Sequence, residues 1–295
     1  MAFPTTLPAT YIDTVLGNLG SGALAGSAGP FVDGSGNVYI VGLYDNGTNF
    51  DIGVWKATDP SSSFTLQDNV LSAGNSSHGV AAVCDGTYIH IVKAYNTSGS
   101  TLNRVYYFRY ILSTDTFAAA STIGGTGSDP FIAIQTTQTD NASFAPWANI
   151  ALRSAGDVII TYHGDAPASM GGTYQEIDYS RLEGSTWTHG TIVASTGGKN
   201  DHRLYPQIAV DNDGLVGSGD QAHIIFQDLD ANGAQRNSYT RPLSSTNTLR
   251  TVRSFSNVNN IGNSCPIGTT LANQGGVLKV FSAYASPGSI ALSGF

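Results

Sequence analysis

The run Asp228-Leu229-Asp230-Ala231-Asn232-Gly233 places three oxygen-bearing side chains at alternate positions ahead of a glycine. Such spacing can set hard oxygen ligands around a calcium ion, the glycine making the sharp turn. Position twelve of the loop is Tyr239 where the closing acid belongs, which excludes a helix-flanked calcium loop. Asp228, Asp230 and Asn232 are therefore the expected ligands of a calcium site in a hairpin. They are weighed against an ordinary polar turn, since Asp, Asn and Gly are also the preferred turn residues. A partial match, Asp211-Asn212-Asp213-Gly214 with Asp220 downstream, lies nearby. No other cofactor is expected.

A second set combines rings, carboxylates and imidazoles: Tyr44, Asp45, His78, Tyr95, Trp147, His163, Asp165, His202, Arg203 and Asp228. Rings pack on the C–H face of a sugar and acids accept its hydroxyl protons, so these are candidate glycan-binding residues. The bland alternative is that rings at strand ends are packing and the neighbouring Asp and Asn bond their own backbone. Glycoside hydrolysis needs paired carboxylates at about 5 Å or about 6.5 to 9.5 Å. The chain has two glutamates, Glu183 in a hairpin turn and Glu176 near the start of a strand, so Glu176 is the sole candidate glutamic acid. No G-x-S-x-G elbow is present for Ser-His-Asp chemistry. No catalytic residue is assigned, and binding is expected over turnover.

These residues need elements to bring them together, and a repeat supplies them. Five times a short apolar strand runs into a Gly-bearing turn and a second strand ending on an aromatic: at Tyr44, Tyr95, Tyr162, Phe226 and Tyr284. The aromatics are separated by 51, 67, 64 and 58 residues. A strand-filled period of this length suits a β-propeller blade, which uses roughly 40 to 50 residues plus loops. Between repeats, further strands are expected at Phe50 to Ala57, Arg104 to Leu112, Gln175 to Leu182 and Arg236 to Leu243. The second of these crowds Tyr106, Tyr107, Phe108 and Tyr110, as expected of a strand sandwiched between sheets.

The expected fold is an all-β, five-bladed β-propeller in a single domain, with blades at about 29–77, 78–128, 144–200, 203–260 and 265–295. The fifth repeat is short of strands, because only eleven residues follow Tyr284. A strand over Thr10 to Leu16 is expected to complete it, so that both termini close the ring and no sheet edge is left unpaired. Six blades are the alternative, if Gly124 to Phe144 holds strands. The ten candidate residues would then line an axial funnel, on the face where the chain comes into each innermost strand and leaves the second.

Composition limits partners. Charged residues are 12% of the chain and 35 residues are Gly, which suits short strands and turns. The net charge of -8 and the lack of any basic run give nucleic acid no electrostatic footing. No segment approaches the ~18 apolar residues of a membrane span, so membrane insertion is not expected. The start Met-Ala-Phe-Pro-Thr-Thr-Leu-Pro lacks the basic and apolar regions of a secretion signal. Cys84 and Cys265 match neither a zinc ribbon nor a redox pair, and free thiols are expected.

The hairpin Ser180-Arg181-Leu182-Glu183-Gly184-Ser185-Thr186-Trp187 resembles the Asp-box of sialidase-type propellers, S-x-D-x-G-x-T-W, with Leu182 in place of the Asp. This resemblance implies a propeller hairpin and not sialidase activity. Few charges, abundant Gly, Ser, Thr and Asn, and degenerate repeats together resemble accessory virion proteins of tailed bacteriophages. That resemblance implies a non-catalytic structural, decoration or adhesion role on a virion, with other virion proteins and host glycan as partners. A lectin-like glycan-binding propeller and a propeller-type glycoside hydrolase are the alternatives.

Overall fold

Apolar and polar residues alternating with period two, punctuated by glycine-bearing turns, form antiparallel meanders. The computed structural model describes residues 27–45, 50–70, 76–96, 103–135, 147–153, 157–165, 175–193, 202–211, 221–229, 235–240, 250–255, 266–274, 277–286 and 289–294. The first sheet holds β1 (Ser27–Val32), β2 (Val38–Asp45), β3 (Phe50–Ala57) and β4 (Thr65–Val70). In the second are β5 (Ser76–Cys84), β6 (Tyr88–Asn96), β7 (Asn103–Ile111), β8 (Thr116–Phe117) and β9 (Ile132–Gln135). The third holds β10 (Ala148–Leu152), β11 (Val158–Asp165), β12 (Gln175–Glu183) and β13 (Thr186–Val193). The fourth is β14 (His202–Asp211), β15 (Gln221–Leu229), β16 (Gln235–Thr240) and β17 (Arg250–Phe255). The fifth has β18 (Pro266–Gln274), β19 (Val277–Ser286) and β20 (Ser289–Gly294).

The first strands of successive sheets, β1, β5, β10, β14 and β18, pack on one another in turn. Sheets arranged this way wrap around an axis, and the chain is a five-bladed β-propeller. The expected closing strand at Thr10 to Leu16 lies outside the described residues. The face of the first sheet turned away from the second is itself covered, since Trp55 is 5% exposed and Asp51 fully buried there.

The second sheet departs from expectation. Its fourth strand is only Thr116–Phe117, shorter than the outer strand of a four-stranded blade, and a single 3-10 turn follows at Ala120–Thr122. The chain then returns to the same edge of β7, where β9 pairs Ala133 with Tyr106 below the Tyr110 to Phe117 pair. Within 124–144 the described strand thus extends the second sheet and does not begin a sixth blade.

Both faces of the middle sheets are buried, and side-chain alternation shows how. Ile89 and Ile91 of β6, with Tyr106, Phe108 and Tyr110 of β7, join Val41, Leu43, Ile52 and Val54 of the first sheet. Val92, Val105 and Tyr107 on the opposite face join Val158, Ile160 and Tyr162 of the third. Ile159 and Ile177 of the third sheet then pack with Ile208, Ile224 and Phe226 of the fourth. The aromatic crowding of β7 therefore serves two inter-sheet cores. Four innermost strands carry a bulge near their start, between Ala28 and Phe31, Ser77 and Val80, Leu204 and Gln207, and Pro266 and Gly268. Bulges re-aim the residues beside them and bend the strand. No helix among the described residues is long and apolar enough to cross a membrane.

Candidate functional site

The propeller has two faces. On the inlet face the chain comes into each innermost strand, leaves the second and begins the third; on the turn face lie the hairpins joining first to second and third to fourth strands. Tyr44 and Asp45 end β2, opposite Asp51 and Phe50. His78 lies in the β5 bulge, and Tyr95 pairs with Ser77 and Arg104. Trp147 immediately precedes β10 and is half-buried. His163 pairs with Ile177 and Asp165 with Gln175, at the end of β11. His202 and Arg203 open β14 opposite Leu229 and Asp228. Asp230 and Asn232 lie outside the described residues, as does Cys265. Asp228, the first expected calcium ligand, is a strand residue paired with both Arg203 and Arg236.

Two inlet-side groups, Lys93 and Asp51, were not among the sequence candidates, while Glu176 was the candidate glutamic acid. Lys93 on β6 and Asp51 on β3 are fully buried, and Glu176 at the start of β12 is 6% exposed. Burial pushes the Lys93 ammonium down to about 8, and the Asp51 carboxylate opposes part of that shift. Glu176 accepts a hydrogen bond from the Thr191 hydroxyl at 3.3 Å. His163 is buried in the seam between the third and fourth sheets, on the same face of β11 as Ile159. In that seam Asn149 donates through Nδ2 to Gln207 Oε1 at 2.5 Å, linking two innermost strands. Lys93 escaped notice because a lysine inside an apolar strand resembles an outward-facing one when both sheet faces are in fact covered.

Carboxylates on the turn face have a different occupation. Asp33 Oδ1 accepts the amides of Ser35 and Asn37, each at 2.9 Å. Asp85 Oδ1 accepts those of Thr87 and Tyr88 at 2.7 and 2.6 Å, and Asp157 accepts that of Gly184 at 2.9 Å. Burial alone would raise Asp33 and Asp85, but their hydrogen bonds together hold both carboxyls below the usual range. Asp115, a non-glycine residue in the left-handed region at φ 55, joins the first two sheets. It accepts from Lys56 Nζ at 2.7 Å and from the Tyr39 and Tyr110 hydroxyls at 3.3 Å. Asp33, Lys56 and Asp115 border a cleft of about 400 Å³ between the first two sheets, lined also by Asn37, Thr87 and Ser113.

The Asp-box-like hairpin also belongs to this face. Leu182 is 2% exposed and packs in the core, so this hairpin needs no acid at that position. Asp157 of the preceding hairpin supplies the carboxylate that holds the turn at Gly184, whose φ is 60. Trp187 donates its indole N–H to the Ile123 carbonyl at 2.9 Å and packs edge-on against Tyr107. A Cβ at Gly124 would run into the Ser185 carbonyl, so only glycine lets the second sheet's insertion approach this closely.

Among the described residues no group of three or more His, Cys, Asp or Glu is placed to hold a metal ion. Cys84 is a free, half-buried thiol, and burial raises its pKa. No family model matches the sequence, and no curated protein matches it. Among solved structures the chain is similar to an alpha-L-arabinanase of Penicillium chrysogenum complexed with arabinobiose, at 10% identity and a TM-score of 0.56, over 91% of this chain and 76% of that one. It is also similar to a PL25 ulvan lyase, at 12% identity and a TM-score of 0.53, over 89% of this chain. The chain spans 62% of that lyase's length. Likeness at these identities concerns the fold, a propeller that glycan-active enzymes also use.

Proposed function

We propose that this propeller binds a glycan at its inlet face. One observation carries the reading: among the described residues the buried Asp, Glu and Lys side chains, Asp51, Lys93 and Glu176, all belong to the inlet half of their strands. A protein interior opposes buried charge strongly, so charge concentrated at one end of otherwise apolar inter-sheet cores points to a demand other than stability. Half-buried Trp147 on the same side offers the ring that a sugar face requires. The structural neighbours described above are glycan-active enzymes, which favours the glycan-binding alternative over a virion decoration role.

The test is titration of the purified protein with soluble arabinan and with polygalacturonate, followed by calorimetry. Saturable binding to one of them is expected, weakened at least about tenfold in Trp147→Ala. Absence of binding to either polymer, or a Trp147→Ala variant that binds as the parent does, overturns the reading. A second reading, hydrolysis, is favoured by the place of Glu176, a buried glutamic acid side chain at the inlet end of β12 and the residue type that serves as general acid in such chemistry. It requires that reducing ends accumulate on one of these polymers and that Glu176→Gln abolish their release while leaving binding intact.

A further inference from the structure

The turn-face cleft between the first two sheets holds charges that do not cancel. Asp115 Oδ2 is paired with the Lys56 ammonium at 2.7 Å. Asp33, in the turn between β1 and β2, has only neutral donors among the described residues. They are the amides of Ser35 and Asn37, Asn37 Nδ2 at 2.7 Å and the Tyr39 hydroxyl at 3.2 Å. That hydroxyl also lies 3.3 Å from Asp115 Oδ1, and its single proton serves one carboxylate at a time. Both acids and Lys56 line the cleft, so one ammonium faces two carboxylates and the charge of Asp33 has no counterion. The rest of the lining has hydroxyls to spare. Ser35, Thr87 and Ser113 line the same cleft, and none of their hydroxyls bonds another described side chain.

We propose that this cleft binds a small hydroxylated primary amine in its ammonium form, at a site separate from the inlet face. An ammonium supplies the positive charge that Asp33 lacks, and charge-assisted hydrogen bonds are the strong ones. Asn37, whose Nδ2 is committed to Asp33, offers its Oδ1 to a second N–H of the same group. The hydroxyls of Ser35, Thr87 and Ser113 both donate and accept, which suits a ligand bearing several hydroxyls of its own. Leu112, 8% exposed, gives the carbon skeleton an apolar wall. A volume of about 400 Å³ lies in the range of small-molecule sites. A bare metal ion is a poorer match, since among the described residues no third Asp, Glu, His or Cys joins these two acids. Gly34 adds a separate observation. It lines the cleft with no left-handed φ and with nothing within 4 Å of where a Cβ would stand, so neither conformation nor packing calls for glycine there. A side chain at that position would narrow the cleft.

Calorimetric titration at about pH 6, where an amine of this kind is protonated, tests this with D-glucosamine and with D-glucose, its uncharged counterpart. Glucosamine should bind at least about tenfold more tightly than glucose. Asp33→Asn keeps the shape and removes the charge, so it should weaken glucosamine at least about tenfold and leave any binding of glucose as it was. Gly34→Leu adds bulk to the cleft wall without removing a hydrogen bond. It should weaken glucosamine by at least as much while the urea midpoint stays at the parent's value, and it decides the matter if Asp33→Asn fails to fold. No binding of glucosamine, binding no tighter than that of glucose, or a folded variant of either kind that binds glucosamine as the parent does overturns the assignment. Arabinan binding at the inlet face is independent of all these outcomes.

Discussion

On the turn face, Asp33, Asp85 and Asp157 spend their oxygens on backbone amides of nearby hairpins, and Asp115 spends its own on Lys56, Tyr39 and Tyr110 of two adjoining sheets. On the inlet face, Asp51 and Glu176 are buried at the starts of third strands, where Asn69 and Thr191 donate to them at 3.4 and 3.3 Å, and Lys93 is buried on the face of β6 turned toward the first sheet. The same residue types do opposite work. Turn-face carboxylates hold hairpins in place and, at Asp115, two sheets together, because each satisfied carboxylate fixes several donors at once. Inlet-face charges work against the fold, because desolvation of an ion outweighs most of what its partners return. A chain retains such groups where binding demands them, and substitutions can separate the two roles.

The largest effect is expected at Trp187 on the turn face. Replacing it by Ala removes the ring packed on Tyr107 and the hydrogen bond to the Ile123 carbonyl, and frees the second sheet's insertion from the third. A loss of about 3 to 5 kcal/mol in urea unfolding is expected, with glycan affinity unchanged. A Trp187→Ala variant that folds as stably as the parent would break the assignment of structural work to this face. Asp115→Ala comes next. It strips acceptors from Lys56, Tyr39 and Tyr110 together, and about 2 kcal/mol of stability should go with them. Affinity for glycan should again hold, and a loss of binding without a loss of stability would transfer function to the turn-face cleft.

The sequence reveals these two faces unequally. Five strand pairs were visible because each turn carries Gly, as in Asp33-Gly34-Ser35-Gly36 and Asp85-Gly86, between short apolar runs that end on an aromatic. β9 was not, since Ile132–Gln135 is a four-residue strand too short to show a period, completing an outer strand that Thr116–Phe117 leaves short. The Leu182 substitution looks like decay of an Asp-box until Asp157 is seen supplying the missing carboxylate from another hairpin. Lys93 and Asp51 were missed for a general reason. Period-two patterning says which residues share a face, but when both faces are buried it cannot say which polar residue is covered.

The smallest predicted effect sharpens the contrast most, because it has a sign that ordinary packing does not share. Burial lowers Lys93 to about 8 in the folded protein, and the unfolded chain titrates near the usual lysine value of 10.5. Below the folded value both states carry the proton and the cost of the buried charge is present in full. As pH rises through it, the folded state releases its proton first, the unfolded state holds more protons, and stability climbs. Between about pH 7.5 and about pH 9 this should contribute about 1 kcal/mol of added stability, read from urea midpoints. Lys93→Met keeps most of the side-chain volume and removes the titrating group, so the variant should be at least as stable as the parent at the lower pH and lose the rise. Should Lys93→Met instead cost stability at every pH, Lys93 would be a structural ion like Lys56, and the distinction between the faces would collapse.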